Sequence, residues 1–277
     1  MNLVSIDWLK DNISNPHLIL LDATLPPVGR TWKEFANSGH IPGSRRFDID
    51  ALSQQDSGLP HTLLSSEKFQ ESMRTLGIND DSTLVIYDAV GIYSAPRAWW
   101  NLTLMGHQQV FVLNGGLPAW AAAGGAVETK CHLPTHKGNF TARPKQTLLV
   151  SADEVLAALD DSQVRIIDVR SAGRFRGEEA EPRPGVRSGH IPSSSNIPFA
   201  QLLDGIYLQG QNRLQSIFAS AGCEKDHRLI FSCGSGVTAC IGLLAAHECG
   251  FLNTALYDGS WAEWGSGDLP IKTGEGF

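Results

Sequence analysis

No stretch of this 277-residue chain approaches the roughly 18 uninterrupted apolar residues that a membrane-spanning helix needs, so no membrane partner is expected. Basic runs are missing too, and with a net charge of −7 a nucleic-acid partner is not expected. The first ten residues mix Asp7 and Lys10 with apolar positions and do not form the apolar block of a secretory signal, so a cytoplasmic location is the expectation. Five cysteines, odd in number and irregular in spacing, read as free thiols and not as a disulfide framework. What is present, 42% hydrophobic and 18% charged residues, suits one large or two medium globular domains with ample core.

The chain repeats itself. Ser38-Gly39-His40-Ile41-Pro42-Gly43 returns as Ser188-Gly189-His190-Ile191-Pro192-Ser193, an offset of 150 positions (190 − 40). Leu20-Leu21-Asp22 answers to Ile166-Ile167-Asp168, and Leu113-Asn114-Gly115-Gly116 with Trp120 answers to Tyr257-Asp258-Gly259-Ser260 with Trp264. Such a period is too long for a solenoid and matches a domain. The pattern predicts an N-terminal domain over 1–124, a linker over 125–147 without sustained periodicity, and a C-terminal domain over 148–277.

Within each repeat, strand-like runs (17–22, 83–87 and 109–113, then 164–169, 228–231 and 254–257) alternate with helix-like spacing (67–76 and 96–105, then 152–159 and 237–249). That alternation predicts an α/β fold, each domain a mainly parallel sheet flanked by helices, with ligands bound beyond the carboxyl ends of the strands.

Cys233 stands at such an end, between Arg228-Leu229-Ile230-Phe231 and the helical stretch ending near Cys249. Around it, Gly234 and Gly236 flank Ser235, ahead of Val237 and Thr238. Two glycines let the backbone curl so that N–H groups point inward, and the next helix adds its positive end. A free thiol titrates near about 8.5, and a helix N-terminus lowers that value. Cys233 is therefore the candidate nucleophile, whereas Cys240 and Cys249 read as core residues. The aligned corner of the first repeat is Tyr87-Asp88-Ala89-Val90-Gly91, with Asp88 in place of a thiol. Gly234 and Ser235 carry no charge, and Ala239 stands where a cysteine phosphatase needs its arginine.

Jointly, the two His-Ile-Pro segments, the loop Cys233-Gly234-Ser235-Gly236-Val237-Thr238-Ala239 and the closing Tyr257-Asp258-Gly259-Ser260-Trp261-Ala262-Glu263-Trp264 resemble the rhodanese superfamily in its tandem two-domain form. The resemblance implies two rhodanese-like domains of which only the second is catalytic. It implies a sulfurtransferase that takes sulfur from 3-mercaptopyruvate through a Cys233 persulfide and passes it to an acceptor thiol, cyanide or a small redox protein, with no metal and no organic cofactor. It further implies Arg174 and Arg183, nine residues apart, as the substrate's carboxylate clamp, with Arg176 and Arg187 as competitors. The alternative for these arginines is pairing with Glu178, Glu179 and Glu181.

Ser235 is placed to stabilise and protonate the enolate leaving group. The family also implies His40 as that serine's helper with an upstream aspartate, although 24–38 offers only Glu34. His190 reads as structural. Rival readings are a thiosulfate:cyanide sulfurtransferase and a persulfide carrier module without small-molecule turnover. Cys131-His132 with His136 reads as part of the linker and not as a metal cluster, because no second shell is visible. Trp99-Trp100 reads as core, and Asp22 and Asp168 as strand-end carboxylates pairing with Arg45 or Arg170.

Overall fold

The structure, a computed structural model, describes residues 2–35 and 37–276. The chain forms two compact units. Unit 1 comprises Met1–Gln54, Leu63–Lys145 and Gly205–Leu208, and unit 2 comprises Gln55–Thr62, Gln146–Asp204 and Gln209–Phe277. Among the described residues no helix is long and apolar enough to cross a membrane.

Unit 1 is built on a five-stranded sheet in the spatial order Leu3–Val4, Val110–Leu113, Thr83–Tyr87, Leu18–Asp22, Arg45–Arg46, with every neighbouring pair parallel. Unit 2 repeats that order with Leu149–Val150, Thr254–Tyr257, Arg228–Ser232, Val164–Asp168 and Ser194–Asn196, again all parallel. The central strands are apolar at successive positions and buried at nearly all of them, as parallel strands are. The cores match between repeats: Leu20, Ile41 and Trp120 in unit 1 take the places of Ile166, Ile191 and Trp264 in unit 2. Both tryptophans even donate their indole N–H to the carbonyl six residues on, Ala126 and Pro270, each at 2.7 Å.

The expected helices are present as Ser66–Thr75, Ala95–Leu104, Ala152–Ala157 and Ala239–Glu248. Trp99 and Trp100 are fully buried, as expected of core residues. The helix Ala239–Glu248 is apolar on every side and buried from Ala239 to Ala246, so no amphipathic face had marked its start. Gly242 lets it lie against the strand Arg228–Ser232, because a Cβ there would press on the Phe231 ring at 2.6 Å.

The repeated Ser-Gly-His-Ile-Pro motif has a local explanation. Gly39 and Gly189 have positive φ (72° and 125°), and a Cβ on either would collide with the segment that follows the unit's last helix, at Val127 and Lys272. The histidine backbones pair with that segment: His40 bridges Glu128 and His190 bridges Lys272. Ile41 and Ile191 are fully buried, and Pro42 and Pro192 open a turn closed by Ser44 and Ser194 N–H donating to Ile41 and Ile191 C=O. The third turn position has φ near +60° to +77°, natural for Gly43 and strained for Ser193.

These bridges move the expected boundary. The stretch after Gly124 is the unit 1 counterpart of the Lys272 segment, and the chain belongs to unit 1 as far as Lys145. Phe140 is buried against Phe69, and Asn139 and Thr141 bond to Asn79 and Asp80. Aperiodic backbone pinned at single points looks like a linker in sequence, which is why 125–147 was assigned as one.

The strand-to-helix corner of unit 1 shows what this fold does with its orphan donors. Asp88, fully buried, accepts five backbone N–H bonds: from Val90 and Gly91 on Oδ1, and from Tyr93, Ser94 and Ala95 on Oδ2, at 2.8 to 3.0 Å. The carboxylate fills the anion nest at the N-terminus of Ala95–Leu104. Removing it leaves these donors buried and unpaired. Asp88→Ala should therefore lower the unfolding free energy by roughly 3 kcal/mol or more, and Asp88→Asn by less because one acceptor oxygen remains. Urea unfolding followed by tryptophan fluorescence checks this; an unchanged midpoint for Asp88→Ala would mean that water reaches the donors.

Candidate active site

In unit 2 the same corner follows Ser232, the end of the central strand, which stands beside Asp168 in register. Cys233 is 1% exposed. Its N–H donates to Ser260 Oγ at 3.2 Å and its C=O accepts from Trp261, while Gly234 C=O accepts from Ala262, so the loop is anchored from behind by the repeat's closing motif. Gly236 takes φ 75°, Val237 is buried, and Thr238 caps the helix that starts at Ala239. Cys233 follows the end of its central strand as Asp88 follows the end of the equivalent strand in unit 1.

The other cysteines are poor rivals. Burial pushes the Cys223 thiol up to about 12 and raises those of Cys249 and Cys131 as well. Cys240 donates its thiol to Gly236 C=O at 3.3 Å, inside the helix.

A chain of alternating charges runs beside the loop. Arg170, buried and packed over the Trp261 ring, is clamped by Asp168 (2.6 Å) and Glu181 (2.8 Å). Burial disfavours its charge, but the two carboxylates outweigh that and raise its pKa. Glu181 in turn holds Arg174 through Nε and Nη2, at 3.1 and 2.5 Å. Asp168 thus pairs with Arg170 as expected, and Arg174 pairs with Glu181 as the bland alternative anticipated. Arg174 is nevertheless aimed at the loop: a Cβ on Gly234 would lie 3.1 Å from its Nη2. Gly234 and Ser235 bring no charge themselves, but the cation they lack arrives from the 171–183 segment.

Arg183 is half-buried, and among the described residues nothing pairs with it. Its competitors are occupied. Arg176 pairs with Glu178, and Arg187 donates to the carbonyls of Trp264, Gly265 and Leu269.

Ser235, 9% exposed, meets a histidine, but not the one the resemblance implied. His61 Nδ1 lies 3.0 Å from Ser235 Oγ. His61 belongs to unit 2 through the stretch Gln55–Thr62, and it holds φ 60°, a left-handed conformation that non-glycine residues adopt at a cost. His40 is engaged elsewhere: its Nδ1 faces Asp22 Oδ2 at 2.6 Å and Cys131 Sγ at 3.2 Å. Burial pushes the Asp22 carboxyl up, yet the bonds from His40 and Thr24 and the charge of Arg46 bring it below the usual range. Asp22 therefore pairs with His40 and Arg46; Arg45, the partner expected for it, donates to Leu76 C=O. His190 is structural as expected, bonded through Nδ1 to Phe175 C=O and stacked on the Phe175 ring at 3.8 Å. Only one clue in the sequence pointed to His61: a histidine after Gly58-Leu59-Pro60, in a turn with no counterpart in the second repeat.

The rhodanese-like domain model matches residues 5–123 and again 151–266. The 3-mercaptopyruvate sulfurtransferase of Escherichia coli K12 is 42% identical over 97% of each chain, and its human namesake is 36% identical over 95% of this chain and 91% of its own. Among solved structures, SseA from Escherichia coli superposes with a TM-score of 0.85 at 38% identity, covering 94% of this chain and 99% of its own. Tum1 from Saccharomyces cerevisiae gives 0.88 at 30% identity, over 99% and 98%.

The charge relay yields a contrast between two neighbouring glutamates. Glu181 is buried between two guanidinium groups, whereas the Glu178 side chain is 60% exposed. Glu181→Gln should cost roughly 2–4 kcal/mol of stability, and Glu178→Gln less than about 0.5 kcal/mol. Thermal unfolding of the two variants side by side is the check; equal midpoints would mean that Glu181 does not hold the arginines.

Proposed function

The chain belongs to the rhodanese family, in its tandem two-domain form, and from that premise we propose that it is a 3-mercaptopyruvate sulfurtransferase whose Cys233 carries the sulfur as a persulfide. The observation that carries the donor assignment is the Arg174 guanidinium beside the Cys233–Gly234 loop. Arg174 is held over Gly234 with its Nη1 left over from the Glu181 pair, and Arg183 has no protein partner among the described residues. A donor with a carboxylate at one end and a thiol at the other spans that arrangement.

Cys233 thiolate attacks the sulfur of the donor. A sulfur–sulfur bond forms, the carbon–sulfur bond breaks, and its electron pair leaves on carbon as the enolate of pyruvate. The enolate takes one proton to become pyruvate. Ser235 Oγ–H is the group placed to give that proton, and His61 Nδ1, in hydrogen-bond contact with the same oxygen, is placed to restore it. The persulfide then sits in the corner that unit 1 fills with Asp88, a site suited to a negative charge. An acceptor thiol, cyanide or a small redox protein attacks the outer sulfur and returns Cys233 to the thiolate. Covalent storage divides the transfer into two steps, and ping-pong kinetics follow.

Thiosulfate is a second donor with one observation in its favour. Arg174 gives the loop a cation that its own residues lack. A carrier without turnover has no use for the two arginines or for the Ser235–His61 contact.

Donor-treated protein should gain one sulfur, about 32 Da, on the peptide containing Cys233, with pyruvate released in equal amount. Cys233→Ser should abolish both, while serine at Cys223, Cys240 or Cys249 leaves them. Sulfur on another cysteine, or thiosulfate used faster than 3-mercaptopyruvate, would overturn the assignment.

Ser235→Ala should lower kcat with 3-mercaptopyruvate by about 10²–10³ and affect thiosulfate turnover less, since only the first donor leaves an enolate. His61→Ala should cost nothing further once Ser235 is gone. Independent losses in the double variant would separate the two residues.

A further inference from the structure

Unit 1 holds a convergence of donor atoms that the sulfur chemistry does not use. Asp22 Oδ2, His40 Nδ1 and Cys131 Sγ lie within 4.8 Å of one another, with Nδ1 at 2.6 Å from the oxygen and 3.2 Å from the sulfur. One ring nitrogen faces two partners. A single Nδ1 carries either one hydrogen or one lone pair, so it satisfies only one of them at a time. A cation standing among the three atoms satisfies all of them.

The surroundings hold the three atoms in place. Asp22 Oδ1 is saturated by Thr24 N–H, Thr24 Oγ–H and Arg46 Nη1, which leaves Oδ2 pointed at His40. The strap carrying Cys131 is pinned on both sides, by the His40–Glu128 bridge before it and by His132 N–H donating to Ser44 C=O at 2.7 Å after it. Ser44 Oγ lies 3.8 Å from the thiol and itself accepts the Tyr87 hydroxyl at 2.8 Å. The second shell that Cys131, His132 and His136 lacked in sequence is thus supplied from strand ends more than eighty residues away. His132 is turned outward to Glu128.

Unit 2 shows the same two repeat positions used for structure alone. Asp168 is taken by Arg170, and His190 Nδ1 goes to a backbone carbonyl. Only unit 1 adds a thiol to the aspartate and histidine.

We propose that Asp22, His40 and Cys131 form a binding site for a zinc-class divalent cation, with water or a small solute as fourth ligand. Thiolate, imidazole and carboxylate together match the borderline-soft character of zinc. With bonds of about 2.0 to 2.3 Å in a tetrahedron, neighbouring ligand atoms stand about 3.3 to 3.7 Å apart. The two Nδ1 spacings, 2.6 and 3.2 Å, reach that by opening less than about an ångström, and the oxygen and sulfur already lie within 4.8 Å of each other. On binding, the Sγ proton passes to solvent while the neutral imidazole keeps its single proton on Nε2, and no oxidation or reduction is involved. An open surface cavity of about 510 Å³ bordered by Glu128, Lys130, Cys131 and His132 lies on the Cys131 side of the cluster. The bound cation clips the 125–131 strap to the end of the strand Leu18–Asp22.

The test uses the full chain stripped of metal and titrated with cobalt(II), then with zinc(II). One equivalent of cobalt should produce the near-ultraviolet thiolate-to-cobalt charge-transfer band, and zinc should displace it. The band should survive Cys233→Ser and His132→Ala. It should vanish in Cys131→Ser, a near-isosteric change at a half-buried position, with near-ultraviolet dichroism confirming the fold. Asp22→Asn should weaken cobalt binding by about tenfold or more. Absence of the band in the unaltered protein, its persistence in Cys131→Ser, or its loss in Cys233→Ser would each overturn the proposal.

Discussion

The fold turns on one constraint: a parallel strand that ends in a tight corner before a helix leaves a set of inward N–H groups needing a negative charge. In unit 1 the Asp88 carboxylate answers that need with five backbone donors. In unit 2 the residue at the same corner is Cys233. The sheet order, the close packing at Gly242 and the anchoring of the loop by Ser260, Trp261 and Ala262 all serve to hold this corner in shape. One repeat thereby fills the corner with a carboxylate and the other brings a thiol to it.

Charge is organised around the corner by relay. Asp168, Arg170, Glu181 and Arg174 alternate in sign, so each buried ion has an opposite neighbour and only the last member faces the loop. A lone arginine over Gly234 would be drawn to any exposed carboxylate of its acidic segment. Glu181 fixes it, and Arg183 remains outside the relay.

Much of this was legible in sequence, and the omissions have physical causes. The repeats, the alternation of strands and helices and the Cys233 corner are local patterns: short apolar runs, glycines flanking a serine, and a His-Ile-Pro motif whose glycine and proline are demanded by a turn and a close approach. The two arginines carried a spacing; the structure aims Arg174 at the loop and pairs it with Glu181, and it leaves Arg183 without a partner among the described residues. What stayed hidden was non-local. His61 reaches Ser235 across 174 positions of sequence, and no periodicity encodes such a meeting. His40 was drawn away by Asp22, a residue judged only as a strand end. The 125–145 strap looked unstructured because bridges at isolated points leave no repeat in the pattern.

The membership of Gln55–Thr62 in unit 2 changes what the duplication means. The first repeat has lost its cysteine, and by the ordinary logic of gene duplication it would be dispensable. It nevertheless encodes the histidine that contacts Ser235 in unit 2. A fragment starting at Gln146 would inherit Cys233, Arg174 and Arg183 but would lose that contact, so a cut between the repeats is not a cut between the units.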